Sequence, residues 1–328
     1  MPVRLRPEDE YAHAPGPEPT FNESVYCNLY DPDRRIGGFF RLGNRVNEGY
    51  AEQTVCLFLP DGRVGFSFDR PSIASNDAFD AGGLRFEVVE PFATVQVGYA
   101  GPVILLEDPL AITDPKRVYR EHEAVACRVD LQLPGVSSMY GGRSDRPQEQ
   151  SGATFIKAHF EQLVAGTGTI TVADQEWPVR GNGLRGHSWG PRSWQAPWYQ
   201  RRLTANLGDG FGFMGSRLGR RDGHGIGGGF VWDGDALHLC DRCEISTTWT
   251  DADWYHRTVE VDLGAGEREW HVAGRVLNLI PLRHRREGRT TRICEGLTEW
   301  ELEDGRLGYG LSEYLDQIVD GRPVGVAE

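Results

Sequence analysis

The 328-residue chain is short of lysine, of long apolar runs and of helical periodicity, and each shortage closes off a class of function. Its only lysines are Lys116 and Lys157, so arginine supplies nearly all the positive charge. Neither lysine has the apolar neighbours that would lower an amine pKa, which argues against Schiff-base chemistry. No stretch approaches 18 apolar residues, so no helical membrane span is expected. The formal charge is −13 and the basic residues are scattered, a balance that repels phosphate backbones and anionic membranes. Nucleic acid is therefore not an expected partner. The one basic run, Arg283-His284-Arg285-Arg286 with Arg289, is short and reads as a solvated loop. The opening segment, MPVRLRPEDEYAHAPGPEPTF, lacks the apolar stretch of a signal peptide and is rich in proline. Residues 1–20 read as a flexible or surface-wrapped arm.

Common catalytic motifs are missing too. There is no His-Glu-x-x-His, no Gly-x-Ser-x-Gly and no phosphate-binding P-loop; His122-Glu123 lacks the second histidine. Gly210-Phe-Gly-Phe-Met-Gly215 matches the dinucleotide pattern of glycines, but Ser216 onward continues as strand and turn where a helix N-terminus would have to receive the pyrophosphate. Six cysteines occur (Cys27, Cys56, Cys127, Cys240, Cys243 and Cys294). Cys240-Asp-Arg-Cys243 has zinc or redox spacing but no second such pair. With no export signal, the expectation is reduced thiols acting as small core hydrophobes in a cytoplasmic protein. Nine dispersed histidines give no metal-ligand spacing, so no metal and no cofactor is expected, while a metal site assembled from distant strands stays open.

What the sequence does have is alternation. Val64, Phe66 and Phe68 alternate with small or polar residues, as do Leu84, Phe86 and Val88, then Val95, Val97 and Tyr99. Val129, Leu131, Leu133 and, later, Val259, Val261, Leu263 repeat the pattern. Pro60-Asp61-Gly62-Arg63, Asp233-Gly234-Asp235 and Asp304-Gly305-Arg306 punctuate the runs as turns. With 42 glycines and many short strands the chain reads as all-β, with one short helix near Asp114–Glu121. Strands with one polar face must stack or close to cover the other. About eight strand-like runs precede residue 180 and about eight follow it, which suits two antiparallel barrels packed together, over 21–180 and 181–328.

Three stretches concentrate chemistry. GHSWGPRSW, 186–194, places His187 and Trp189 on one face of an extended segment, with Pro191 fixing the exit. His187 could move a proton beside an indole wall that Trp194 and Trp198 extend, each ring offering about 0.5–2 kcal/mol of cation–π stabilisation. The structural alternative is that Trp189 plugs a barrel end with Arg192 stacked on it. GYGLSEYLDQ, 308–317, sets Glu313 on a face with Tyr309, Leu311 and Leu315, where desolvation would keep it protonated as a general acid, unless an arginine pairs with it. GGFFRLGNRVNEGYAE, 37–52, carries Arg41 and Tyr50 in a polar interruption of a strand, either a hydrogen-bonded network at a barrel mouth or domain interface, or a substrate contact.

These three stretches, above all Gly183-x-Arg-x-His-Ser-Trp-Gly-x-Arg192, resemble the tandem lipocalin-like superfamily that includes carotenoid 1,2-hydratase (hydroxyneurosporene synthase) and AttH-type proteins. The resemblance spans most of residues 25–317. It implies two tandem calycin-like barrels and a cofactor-independent enzyme that hydrates, dehydrates, isomerises or cyclises an isoprenoid, steroid-like or polyketide molecule in a cavity between or within the barrels. In the carotenoid hydratases the His and Trp of His-x-Trp act with a Tyr and an Asp on the following strand. His187 and Trp189 match the first pair. Phe211 to Leu218, read as the following strand, offers Phe, Gly, Met and Ser, and Gly186 stands where relatives often carry Asp. That leaves Glu313 as the carboxyl, with Arg192, Trp194, Trp198, Phe211, Phe213, Tyr314, Arg41 and Tyr50 on the substrate side. A carrier or sensor of a hydrophobic ligand, and a pericyclase-like cyclase that works by shaping its substrate, are the competing expectations. Both a single chain and a homodimer are compatible with the sequence.

Overall fold

The structure, a computed structural model, describes residues 5–143, 158–208 and 210–327; Lys157, set aside above for Schiff-base chemistry, lies outside them. Two antiparallel sheets account for most of it. Eleven strands form the first: β1 (Phe21–Asp31), β2 (Ile36–Arg45), β3 (Tyr50–Phe58), β4 (Val64–Asp69), β5 (Phe79–Ala81), β6 (Leu84–Glu90), β7 (Thr94–Leu106), β8 (Ala124–Pro134), β9 (Tyr140–Arg143), β10 (Ala158–Val172) and β11 (Gln175–Pro191). The neighbour order is β4-β3-β2-β1-β11-β10-β8-β7-β6-β5, with β9 on β10. A short ladder between β4 and β7, Val64 opposite Leu106 through Phe66 opposite Ile104, joins the ends into a barrel.

Ten strands form the second sheet: β12 (Tyr199–Asn206), β13 (Gly212–Gly219), β14 (Gly225–Trp232), β15 (Leu237–Cys240), β16 (Arg242–Trp249), β17 (His256–Ala265), β18 (Arg268–Arg286), β19 (Arg289–Leu302), β20 (Leu307–Val319) and β21 (Arg322–Pro323). Their order is β15-β14-β13-β12-β20-β19-β18-β17-β16, with β21 on β20. By contacts the chain divides into Met1–Asp108 with Tyr119–Ser193, and Pro109–Val118 with Trp194–Glu328. The chain is thus all-β, as two tandem barrel-like sheets. Residues 181–191, grouped above with the second barrel, are instead the second half of β11, paired to β1 and β10 in the first sheet.

Alternation in the sequence becomes the core directly. The inward residues of β7 and β8 are Val95, Val97, Tyr99 and Val129, Leu131, Leu133, all buried in one cluster with Val25, Cys27 and Leu29 of β1 and Phe40 and Leu42 of β2. The second core centres on Trp300, with Phe213 packed edge-on at 5.3 Å between ring centroids. The expected turns fall between strands, and Gly62 in the β3–β4 hairpin takes φ 90°, which a side chain would resist. Among the described residues the single α-helix is α1 (Pro115–Glu121). Gly212–Gly219 is a strand, so no helix follows the glycine pattern at 210–215. Among the described residues no helix is long and apolar enough to cross a membrane. All six cysteines are buried free thiols. Burial pushes those of Cys127, Cys243 and Cys294 up to about 12 and that of Cys240 to about 11, against nucleophilic use of the Cys-x-x-Cys pair.

Candidate functional site

The site lies at one end of the first barrel, where β1 and β11 run antiparallel with Glu23 opposite Trp189 and Val25 opposite His187. From the other side β10 sets Phe160 opposite His187. Residues that pair across strands share a face, and this face is the one that carries Val25, Cys27 and Leu29 into the core. Glu23, His187 and Trp189 therefore point inward. The strands can come this close because of the glycine that opens the motif: a Cβ on Gly183 would stand 1.8 Å from the Asn28 carbonyl oxygen.

Glu23 is wholly buried and has four hydrogen-bond partners. Its Oε1 lies 2.8 Å from His187 Nε2 and 2.6 Å from His13 Nδ1. Oε2 accepts from the His13 backbone N–H at 2.9 Å and from Asn76 Nδ2 at 2.5 Å. Burial would raise this carboxyl, but the bonds from His13 and His187, with the charge of His187, outweigh it and bring the pKa from 4.5 down to about 2. His187 is 3% exposed and its other nitrogen, Nδ1, is buried without a hydrogen-bond partner among the described residues. Phe79 and Phe160 meet the ring edge-on at 5.2 and 5.3 Å, and the Trp189 indole lies 5.2 Å away, tilted. His13 stacks flat on Trp189, with centroids 3.9 Å apart.

His187 also lines a space of about 20 Å³, walled by Val25, Phe79, Phe86 and Val95 on the apolar side and by Glu10 and Arg185 on the charged side. Such a volume suits one water molecule. Arg185, two residues before His187, binds Glu10 through both terminal nitrogens at 2.9 and 2.6 Å and Gln162 at 2.7 Å. The amino-terminal arm thus supplies a wall residue, Glu10, and a ring, His13.

His13 Nδ1, Glu23 Oε1 and His187 Nε2 lie within 4.8 Å of one another, a two-histidine, one-carboxylate set that could hold a divalent transition ion. Asp9 Oδ1 sits 3.4 Å from His13 Nε2, as an outer carboxylate would. A cation would need both ring nitrogens as lone-pair donors, whereas here both converge on one carboxylate oxygen at hydrogen-bond distance. The two states exclude each other, and metal analysis separates them.

Of the residues singled out from sequence, the structure brings His187 and Trp189 together. Trp189 does sit at a barrel end, with His13 stacked on it. Arg192, half-buried at the end of the motif, reaches Ser188 Oγ at 3.4 Å, and its backbone N–H donates to Thr20 O. Arg41 binds Ser24 and Glu52, and the Tyr50 ring lies under Arg70 at 5.4 Å. The remaining residues belong to the second unit. Glu313 is half-buried, with Arg202 and Glu295 as its cross-strand neighbours on β12 and β19. Trp194 stacks on His284 and Trp198 lies under Arg221, so the aromatic wall around His187 comes from Phe79, Phe160 and His13 instead. Phe211, Phe213 and Tyr314 are core. Tyr314 stacks on His256 at 4.0 Å, and burial pushes its hydroxyl up to about 12. The strand after the motif is β12, not 211–218; it begins with Tyr199 and contains no Asp.

The family model for a domain of unknown function, DUF7064, matches residues 6–318. The chain belongs to this family. No curated protein matches it in sequence. Among solved structures, this DUF7064 chain is similar to a candidate AttH from Nitrosomonas europaea, 16% identical over 95% of this chain and 96% of that one, with a TM-score of 0.59. It is similar to CghA bound to Sch210972, 10% identical over 90% and 88% (TM-score 0.57), and to kievitone hydratase from Nectria haematococca, 8% identical over 90% and 88% (TM-score 0.57). At these identities the likeness establishes the fold, and the chain shares the tandem lipocalin-like architecture with them.

Proposed function

We propose that this DUF7064 chain is a cofactor-independent acid–base enzyme, a hydratase, dehydratase or isomerase of a hydrophobic isoprenoid, steroid-like or polyketide molecule. One observation carries the reading. His187 Nε2 is tied to a buried carboxylate while Nδ1, on the same ring at a cavity wall, has no partner among the described residues. A carboxylate that accepts from Nε2–H leaves the lone pair on Nδ1 and stabilises the imidazolium that forms when Nδ1 takes a proton. Such a group can remove a proton from carbon and return it elsewhere, which is isomerisation. It can also return the proton to a leaving hydroxyl, which is dehydration, and the reverse sequence adds water across the double bond. Positive charge that develops on carbon would face Trp189, Phe79 and Phe160. Likeness in fold to kievitone hydratase agrees with this class of reaction.

The test is incubation of the purified chain with a panel of terpenoids, steroids and polyketides, read by mass spectrometry for an 18 Da change or a new isomer. Activity is expected in the wild type, at least about 100-fold lower in His187→Gln, and unaffected by a chelator. Equal turnover in a folded His187→Gln protein would refute the assignment. Loss of activity on metal removal would replace it with the metal state of the same three residues.

A further inference from the structure

A space the size of one water admits no terpenoid, so part of its wall must withdraw before a substrate reaches His187. Most of that wall is strand, fixed by hydrogen-bond ladders on both sides. Glu10 alone comes from a segment, Leu5–His13, held in another way. The segment's backbone bonds are local, Asp9 N–H to Arg6 O and Tyr11 N–H to Glu8 O. Its ties to the barrel run largely through side chains: Glu10 to Arg185 and to the Phe92 N–H, His13 to Glu23, and Asn76 Nδ2 to the His13 carbonyl. The apolar contacts are small, Ala12 on the main core and Leu5 on the Phe160–Trp189 cluster. A segment held through side chains, with no backbone ladder to a neighbouring strand, opens at lower free energy than the strands beneath it.

We propose that Leu5–His13 is a gate carrying a positioning residue: it withdraws to admit ligand beside His187, and its return sets His13 against Glu23 and Trp189. This rests on His187 being the working group, and deepens that reading. His13 acts through Glu23. Its Nδ1 occupies the oxygen that holds His187 Nε2, so the carboxylate is divided between two rings when the gate is shut and is given to His187 alone when it is open.

The experiment is carbethoxylation of the full-length protein with diethyl pyrocarbonate, rates being read at each histidine by peptide mass spectrometry. His256, 2% exposed and in the second barrel, is the internal reference for global unfolding. Glu10→Gln keeps the size of the latch and removes its charge. It is expected to raise the His187 rate at least about tenfold with His256 unchanged. Should neither histidine respond, or both rise together, the segment is part of the cooperative fold and the gate is refuted. In the wild type, amides of Arg6–Tyr11 should exchange hydrogen at least about 100-fold faster than those of β11; equal protection refutes the gate without recourse to a variant.

The positioning role has its own readout. His13→Ala should speed His187 labelling, and His13→Asn, whose amide N–H stands where Nδ1 stood, should restore the wild-type rate. Packing alone predicts the same change for both, since both lose the stack on Trp189. Neither measurement uses turnover. A His187→Gln enzyme with unchanged product would sink the catalytic reading while leaving the gate in place.

Discussion

Replacing Glu23 by glutamine tests the centre of the site without changing its shape. The carboxylate takes four donors, two ring nitrogens on Oε1 and the His13 N–H with Asn76 Nδ2 on Oε2. Glutamine keeps one oxygen, so whichever way it turns, two of those donors face an NH₂ group. Burying mismatched donors at a formerly charged acceptor costs about 3 kcal/mol. The pKa gives the same figure: a carboxyl held at about 2 rather than 4.5 contributes about 3 kcal/mol when ionised. That contribution is complete above pH 4.5. It shrinks as acid protonates the unfolded chain first, is about half gone by pH 3 and vanishes below about pH 2. Urea unfolding of wild type and Glu23→Gln at pH 7 and pH 3 should therefore show a gap of about 3 kcal/mol that narrows by about half. Equal midpoints at pH 7, or a gap that does not change with pH, would refute the buried-carboxylate account.

Other expectations follow from the same geometry. Gly183→Ala forces a methyl into the Asn28 carbonyl and should destabilise the first barrel by about 1–3 kcal/mol or more, seen as a lowered thermal midpoint; an unchanged midpoint would contradict the close β1–β11 approach. The six buried thiols should resist iodoacetamide at pH 8 in the native protein and react fully in urea, with rapid native labelling of Cys240 or Cys243 as the contrary result. Burial, then the charge of Arg201, holds His256 down to about 3, so the unfolded chain binds a proton there that the folded chain refuses between about pH 6.5 and 3. Stability from this group is complete above pH 6.5 and declines with acid through that window, and the decline should flatten in His256→Gln under chemical denaturation at stepped pH.

The barrels were legible because alternation and Asp-Gly turns are local signals: the β3–β4 hairpin, the inward stripes of β7 and β8, and α1 all follow from neighbours in sequence. His187 and Trp189 were legible for the same reason, two residues apart on one strand. Glu23 left a trace that went unread: Phe21, Glu23, Val25, Cys27 and Leu29 form an apolar stripe broken by one acid, the mark of a charge carried into a core. His13 left none, since an arm of prolines and acids gives no periodicity, and only the fold brings residue 13 to residues 23 and 187. Glu313 stayed open between a desolvated acid and an arginine-paired carboxylate because its own strand shows Leu311 and Leu315 but not the strands beside it, which supply Arg202 and Glu295. The polar stretch around Arg41 and Tyr50 did prove to be a network of ion pairs and ring contacts.

The solid interior of the first barrel carries one more implication. Apolar packing fills the middle of the sheet, whereas the charged cluster of Glu23, His187 and His13 stands at its end. Substitution of the buried charged groups at the barrel end therefore bears on stability as well as on chemistry, because Glu23 serves both.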